Sequence, residues 1–225
     1  MSQAWPVHRF GSIDSTNTEA RRRAQAGGFE DCWILADEQT AGRGRLQRNW
    51  ASPKGNIFTT ALFREPGGIR IAGRIPFAAA LAVSDLALHY APNADVRLKW
   101  PNDVRVRGAK LSGILIETGN DESGLWIAAG MGINVAEVPE SAGQSATYLA
   151  ALAPGKYLPE REIALLALEL AVVLLNSSTT LRARLRDGRK RSVRYFAAAN
   201  AIDEVTRDLL DVIHELVTPQ PALLH

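Results

Sequence analysis

Two strand-like runs lie close together in the second half of the chain, at residues 111–118 and 125–135. Strands separated by so few residues pair as an antiparallel hairpin, because a parallel pair needs a crossover of about a dozen residues or more. Further apolar runs predict strands at 33–36, 56–63 and 96–100, so strands outnumber helices. The pattern predicts an α+β fold with a mixed, largely antiparallel sheet rather than a doubly wound parallel one.

Three helices are predicted before, between and after these strands. The first covers 19–26, where the residues at 14–17 (DSTN) can cap its start and a pair of glycines ends it. The second covers 75–90, is rich in alanine and leucine, and carries Pro76 in its first turn. We expect this helix to be buried. The third is predicted at 159–175.

Charge and cysteine content exclude several classes of protein. The 225 residues include 26 Lys plus Arg and 24 Asp plus Glu, and a net charge of +2 is too small to indicate a polyanionic partner. Cys32 is the single cysteine, which excludes an intramolecular disulfide framework and multi-cysteine metal sites. No apolar run is long enough to cross a bilayer and no secretory signal is visible, so a cytoplasmic protein is expected.

A loop rich in glycine and arginine, residues 42–50 (GRGRLQRNW), carries the strongest functional signal. Its glycines allow the backbone to turn N–H groups toward a ligand, and its arginines are permanently charged, planar donors suited to phosphate or carboxylate. The loop therefore predicts an anion-binding site. A solvated surface loop can have the same composition, so the prediction needs support from a second motif.

Three other segments provide that support. Residues 99–103 (KWPND) bring Lys99, which could contact a phosphate, close to Asp103, which could hold magnesium on a nucleotide. An Asx turn after the proline is the alternative interpretation. Residues 110–117 (KLSGILIE) and 130–134 (GMGIN) are strand-like runs interrupted by glycine, which indicates close approach of a ligand or of another backbone.

Together these segments resemble the biotin protein ligase family, whose members attach biotin to a lysine of biotin-dependent carboxylases. The resemblance covers residues 10–175, with the elements in family order and at family-like spacing. These elements are Ser15-Thr16-Asn17, Gln39, the loop 42–45 with Arg48 and Trp50, Ser52-Pro53, Gly55-Asn56, and the segments 99–103, 110–117 and 130–134. The resemblance implies a mixed sheet with helices packed on one face, a fold shared with lipoate ligases.

The resemblance also implies a role for each site residue. The residues expected to line the biotin pocket are Ser15, Thr16, Asn17, Gln39, Arg43, Gly44, Arg45 and Lys110. The residues expected on the ATP side are Arg48, Trp50, Lys99, Asn102 and Asn134. Lys110, Arg45 and Asp103 are the expected catalytic residues, with Asp103 organising magnesium and Lys110 contacting the biotin carboxyl and the α-phosphate.

The implied reaction uses biotin and ATP as substrates, with magnesium. The biotin carboxylate attacks the α-phosphorus, pyrophosphate leaves, and a lysine of a biotin carboxyl carrier domain then attacks the biotinyl-5'-AMP. Both reacting groups are anionic, so cations are needed to bring them together, whereas no protein nucleophile is needed. A glycine-containing loop that closes over the intermediate would keep water away from the mixed anhydride.

Three departures from the family pattern stand out. Gln47 occupies a position that is usually glycine, and a positive φ there would cost roughly 1–2 kcal/mol. About a dozen residues precede Asp14, too few for an N-terminal winged helix-turn-helix, so no DNA partner is expected. The character of the sequence changes near Asn176, which divides a catalytic domain at 1–176 from an atypical segment at 177–225. There a basic linker and an amphipathic helix are predicted instead of the usual small β-barrel.

Alternatives to an active biotin protein ligase remain at this point. A lipoate ligase-like enzyme would share the fold, although the arginine loop speaks against it. A catalytically weak biotin-binding or interaction protein would retain the pocket while Gln47 and the altered tail remove turnover. No membrane partner is expected, and a homodimer is possible for this fold.

Overall fold

Seven strands form one sheet in the part of the chain that the computed structural model describes, namely residues 5–66, 72–73, 75–138 and 145–154. The strands are β1 Val7–Phe10, β2 Cys32–Ala36, β3 Ile57–Arg64, β4 Val96–Lys99, β5 Asp103–Val106, β6 Ala109–Asp121 and β7 Gly124–Ile133. Their order across the sheet is β1-β2-β3-β7-β6-β5-β4. β1 and β2 pair in parallel and all other neighbours pair antiparallel, so the predicted mixed, largely antiparallel sheet is confirmed.

The predicted hairpin is formed by β6 and β7 at the centre of the sheet. It pairs continuously from Ser112 with Ile133 to Asp121 with Gly124, and its turn residues are Glu122 and Ser123. β1 and β5 were not predicted. Both are four residues long and only partly apolar, so their extended conformation depends on neighbouring strands rather than on a local pattern.

Three α-helices are described: α1 Thr16–Ala26, α2 Ile75–Tyr90 and α3 Leu149–Leu152. α1 begins at Thr16, three residues before the predicted start, because only Ser15 of the candidate caps stands at the N-cap position. It ends at Ala26 as predicted, and Gly27 follows with a φ of 77°, a conformation that favours glycine. Twelve of the sixteen residues of α2 are buried, which confirms the expected buried helix. No helix among the described residues is long and apolar enough to span a membrane. The helix predicted at 159–175, the boundary at Asn176 and the segment 177–225 lie outside the described residues.

The two longer helices cover opposite faces of the sheet. Ala20 and Ala24 of α1 pack with β2, β3 and β7 residues whose side chains point to one face, such as Leu62. α2 packs with the alternate residues of the same strands, such as Ala61. The expectation that the helices share one face is therefore not met by α1 and α2. The burial of every residue in β2 explains why, because a strand that is apolar on both sides needs cover on both.

Cys32 belongs to the cluster beneath α1 and is buried. Burial raises the pKa of its thiol, which keeps the side chain protonated and unreactive. The single cysteine is therefore a packing residue.

Candidate active site

A cavity of about 680 Å³ opens on the α1 face of the sheet. Its walls come from the start of α1, the arginine loop, the β4–β5 turn and strands β6 and β7. All of the predicted site residues line it, namely Ser15, Thr16, Asn17, Gln39, Arg43, Gly44, Arg45, Arg48, Trp50, Lys99, Asn102, Asp103, Lys110 and Asn134. Segments that are more than a hundred residues apart in the chain thus meet at one site.

Glycines form the floor of the cavity. Gly113 of β6 pairs with Gly132 of β7. Gly130 lies two residues before Gly132 in β7 and therefore on the same face of the sheet. A Cβ on Gly132 would lie 2.5 Å from Nε1 of Trp50, and one on Gly130 would lie 1.9 Å from Oδ1 of Asn17. The close approach at these glycines is therefore made by the side chains of Trp50 and Asn17, rather than by the ligand or second backbone that was predicted.

A chain of hydrogen bonds organises one end of the cavity. Oε1 of Gln39 accepts from the backbone N–H of Thr16 at 2.8 Å, while Nε2 of Gln39 donates to Oγ of Ser52 at 3.0 Å. Ser15 stands at the N-cap position of α1 but makes no side-chain hydrogen bond to the first turn, so its hydroxyl does not cap the start of the helix. Thr60 of β3 lies beneath, with its Oγ1 2.8 Å from Oγ1 of Thr16. These polar groups can bind a neutral ligand that both donates and accepts hydrogen bonds.

Asn17 anchors this end of the cavity to the sheet. Its side chain is buried, and its Oδ1 accepts from Thr60 at 2.7 Å. Its Nδ2 donates to the carbonyl of Leu115 at 3.2 Å and to Oε2 of Glu117 at 2.8 Å. Thr60 and Glu117 were not among the predicted site residues. The only signal for Thr60 in the sequence was a polar residue within the apolar, strand-like run 56–63.

The arginine loop folds back on itself beside this pocket. Arg43 and Asn49 form an isolated bridge, and the backbone N–H of Trp50 donates to the carbonyl of Gly42 at 2.9 Å. Between them, Leu46 and Gln47 both have a φ of 56°. The sequence-based concern about Gln47 is therefore realised, because a side chain here costs roughly 1–2 kcal/mol relative to glycine.

Lys110 reaches the cavity because of a β-bulge. Val104 pairs with Ser112, but the next residue, Arg105, pairs with Lys110, so Leu111 is the extra residue in β6. Strict alternation from Gly113 would turn Leu111 toward the cavity. The bulge instead buries Leu111 on the α2 face and directs Lys110 to the site.

The ammonium group of Lys110 lies near Asp103 and Trp50. Its Nζ is 2.8 Å from Oδ1 of Asp103 and 5.0 Å from the centre of the Trp50 ring. This cation is therefore held by a carboxylate and an aromatic face. Arg45, Arg48 and Lys99 line the same cavity, so the site carries the positive charge that an anionic ligand requires.

Asp103 does not fit a resident magnesium ion in the described structure. Lys110 faces one of its oxygens, and Nη2 of Arg105 lies 3.7 Å from the other. Among the described residues, no group of three or more metal-ligating side chains comes together. A hard divalent cation prefers several oxygen ligands, so two cations on one carboxylate oppose its binding there.

The two asparagines expected on the ATP side hold the backbone in place. Nδ2 of Asn102 donates to the carbonyl of Ile114 at 3.2 Å, and Nδ2 of Asn134 donates to the carbonyl of Thr147 at 3.1 Å. Their amide N–H groups thus link neighbouring segments of the cavity wall. A direct contact with a ligand would use the remaining oxygen of either amide.

Comparison with known proteins agrees with this geometry. Residues 10–134 match the model of the biotin/lipoate A/B protein ligase family. A biotin–acetyl-CoA-carboxylase ligase of Paracoccus denitrificans is 44% identical over 130 residues, which are 57% of this chain and 54% of the relative. The ligase of the same name from Mycobacterium tuberculosis is 38% identical over 158 residues, 65% of this chain and 55% of the relative. The chain thus spans about half the length of these curated relatives.

A solved structure extends the likeness beyond the matched sequence. The biotin protein ligase of Leishmania major, determined in complex with biotinyl-5-AMP, superposes with a TM-score of 0.69 at 25% identity, covering 87% of this chain and 86% of that one. The family model alone matches more than half of the 225 residues. Sheet topology, site composition and sequence therefore agree, and the chain belongs to the biotin/lipoate A/B protein ligase family.

Proposed function

We propose that this chain is the catalytic part of an ATP-dependent biotin protein ligase. It would form biotinyl-5'-AMP and transfer biotin to a lysine of a biotin carboxyl carrier domain. The observation that carries the proposal is one cavity that brings hydrogen-bonding groups and several cations together. A hydrogen-bonding pocket of Ser15, Thr16 and Gln39 lies over a glycine floor, and Lys110 and the arginine loop supply cations.

The cations that line the cavity suit the adenylation step. The biotin carboxylate and the triphosphate repel each other, and positive groups fixed near both reduce the barrier to their approach. In the proposed reaction a carboxylate oxygen bonds to the α-phosphorus of ATP and the bond to pyrophosphate breaks. Magnesium arrives as part of the nucleotide substrate. Lys110 lies beside the glycine floor, with its Cε 3.4 Å from the position of a Cβ built on Gly113, and its Nζ is 2.8 Å from Oδ1 of Asp103.

The proposed roles divide the side chains that line the cavity into three groups. Ser15, Thr16, Asn17 and Gln39 would receive the head group of biotin, with Asn17 acting mainly as an anchor because its amide is already hydrogen-bonded. Arg43, Gly44 and Arg45 would close over the intermediate. The residues proposed to contact the nucleotide are Arg48, Trp50, Lys99, Asn102 and Asn134.

The transfer step needs a lysine amine from another protein. We propose that the amine attacks the carbonyl carbon of the adenylate, so that AMP leaves and an amide forms. The names of the relatives support a carboxylase as the acceptor. The cytoplasm is the proposed location, because the reaction consumes ATP.

The direct test is to incubate the purified chain with biotin, ATP, magnesium and a carboxyl carrier domain. We expect the carrier to gain the mass of one biotinyl group, and a carrier whose target lysine is replaced by arginine to gain none. Lys110→Ala should reduce biotinyl-adenylate formation by roughly a hundredfold or more, as expected when a preorganised charge is removed from a reacting group.

Lys54→Ala is the matched control for that substitution. The Lys54 side chain is 73% exposed and does not line the cavity, so its removal should leave adenylation unchanged. Adenylation by Lys110→Ala within a few-fold of the unaltered chain would refute the role of Lys110. No adenylate with biotin in the unaltered chain would refute the proposed function.

A weakly active biotin-binding protein is the second candidate, favoured by the left-handed backbone at Leu46 and Gln47. Closing such a loop costs more if closure must preserve the strained conformation. The same assay separates the candidates, because a binding protein would retain biotin affinity without adenylate formation. Substituting lipoate for biotin tests the lipoate ligase alternative.

A further inference from the structure

Glu117 places a carboxylate on the face of the sheet that α1 covers. It pairs with Ala128 of β7, a buried residue of the cluster beneath α1. Side chains alternate along β6, so Glu117 shares its face with Gly113 and Leu115, which line the cavity. Glu117 does not line the cavity itself, and its side chain is 23% exposed. A carboxylate this far from water is costly unless other groups bind its oxygens.

The two oxygens of Glu117 reach different parts of the site. Oε2 accepts from Nδ2 of Asn17 at 2.8 Å, and Oε1 lies 3.5 Å from Nη2 of Arg43. The same Nη2 donates to Oγ1 of Thr18 in α1 at 3.0 Å. Nη1 of Arg21 lies farther from Oε1, at 4.0 Å. One carboxylate thus joins the buried amide beside the hydrogen-bonding pocket to a cation of the arginine loop.

Arg43 attaches the arginine loop to the rest of the protein. Backbone bonds of the loop close it on itself, as between the N–H of Gly44 and the carbonyl of Arg48, 2.8 Å apart. The guanidinium of Arg43 instead reaches α1 and β6. Arg45 and Arg48 lie farther along the loop and are exposed. Loss of the attachment would therefore leave the loop folded but freer to move relative to α1.

We propose that Glu117 is a positioning residue of the active site, which acts through Arg43 to hold the arginine loop against α1 and through Asn17 to fix the hydrogen-bonding pocket. A hydrogen bond to a charged group is stronger than one between neutral groups, so a carboxylate holds the guanidinium better than an amide would. The consequence for the biotinyl-adenylate rests on the proposed function, whereas the position of the loop does not.

Glu117→Gln separates the two contacts. The amide oxygen of glutamine can still accept from Asn17, but the side chain no longer carries the charge that faces Arg43. We expect trypsin to cleave the ligand-free variant after Arg45 and Arg48 about three- to tenfold faster than the unaltered chain, because the loop loses a partly buried ion pair. Mass spectrometry of the peptides measures the rate at each site.

Cleavage after Arg107, in the exposed turn between β5 and β6, is the internal reference. Its rate should stay unchanged, whereas a general loss of stability would accelerate cleavage at all of these sites. Glu122→Gln is the matched control, because Glu122 is exposed in the β6–β7 turn and does not line the cavity. Its loop cleavage and biotin affinity should match those of the unaltered chain. Arg21→Gln removes the more distant cation and should leave loop cleavage within about twofold.

Glu117→Ala removes both contacts and tests the second half of the proposal. The Kd for biotin, measured by calorimetry, should stay within about twofold in Glu117→Gln and rise roughly tenfold in Glu117→Ala, which leaves Asn17 without this acceptor. Release of biotinyl-adenylate should be faster than in the unaltered chain for both variants. A variant that merely folded less well would show a smaller active fraction with the same Kd.

A double-mutant cycle with Arg43→Gln decides whether Glu117 holds the loop through this arginine. In that background Glu117→Gln should add little to cleavage after Arg45, because the contact is already lost. Equal acceleration in both backgrounds, loop cleavage no faster than in Glu122→Gln, or an equal rise of the biotin Kd in Glu117→Gln and Glu117→Ala would overturn the proposal. Cleavage needs neither biotin nor ATP, so a chain that forms no adenylate would refute the proposed function while this arm still tests Glu117.

Discussion

Gly130→Ala is the substitution for which the structure predicts the sharpest effect at this site. Gly130 lies in β7 directly beneath Asn17, and a Cβ added there would be 1.9 Å from Oδ1 of Asn17. An ordinary contact is 3.4 Å or longer, so the asparagine side chain would have to move by about 1.5 Å. Asn17 is only 4% exposed, which leaves little space for that movement.

The expected cost follows from the hydrogen bonds that the movement breaks. Asn17 accepts from Thr60 at 2.7 Å and donates to Glu117 at 2.8 Å and to the carbonyl of Leu115 at 3.2 Å. A buried polar group left without its partner costs about 1–3 kcal/mol, and overpacking costs a similar amount. We expect the free energy of unfolding to fall by about 2–5 kcal/mol and biotin affinity to fall with it.

Urea denaturation of the variant and of the unaltered chain measures this difference. Gly11→Ala is the control, because a Cβ there has no neighbour within 4 Å and the backbone is not in the left-handed region. Its free energy of unfolding should stay within about 0.5 kcal/mol of the unaltered chain.

The reasoning also predicts strong coupling between Gly130 and Asn17. When Asn17 is already alanine, the methyl group of Gly130→Ala no longer meets an amide, so the second substitution should cost much less than it does alone. A loss below about 0.5 kcal/mol for Gly130→Ala, or equal losses in both backgrounds, would refute the steric argument.

Three further predictions concern the loop and the far end of the sheet. Arg45→Ala should increase leakage of biotinyl-adenylate into solution more than it weakens the first binding of biotin. A filter-binding assay with labelled biotin measures both quantities. Unchanged leakage would contradict a closing role for the loop. Gln47→Gly should raise the free energy of unfolding by up to about 1 kcal/mol, because removing the strain of a side chain at a φ of 56° outweighs the greater chain entropy of glycine in the unfolded state. Gln47→Ala keeps a Cβ and should show no such gain in the same denaturation experiment. A hydrogen bond from Arg64 holds the pKa of Asp121 below its usual value, so the carboxylate stabilises the fold above about pH 4 and loses this effect as the pH falls. The difference in the free energy of unfolding between Asp121→Asn and the unaltered chain should therefore shrink on acidification. A difference that stays constant with pH would contradict this role of Asp121.

Local patterns sufficed for much of the central fold. α1 and α2 follow from helix-forming runs with recognisable ends, such as Gly27. The β6–β7 hairpin follows from two apolar runs separated by a short turn. The candidate site residues, all of which line the cavity, could also be predicted, because charged and glycine-rich motifs lay at spacings typical of a known family.

Other features depended on contacts between distant segments, which no local pattern records. β1 and β5 are extended because a neighbouring strand supplies their hydrogen bonds, and Asp103 is consequently a strand residue rather than part of a turn. Both faces of the sheet are buried, and α1 and α2 therefore lie on opposite faces. Which helix covers which face is decided by packing between distant segments of the chain.

The chemistry of the site shows the same division. The motifs around Lys110 and Asp103, and their resemblance to the family, predicted that the two residues belong to one anion-binding site. Only the tertiary structure decided that a bulge at Leu111 turns the lysine into the cavity. It also placed Lys110 and Arg105 beside Asp103, the carboxylate that was expected to organise magnesium. The physical reason is that side-chain direction and charge pairing depend on the register between strands. A shift of one residue turns each side chain to the other face of the sheet and changes which charges meet.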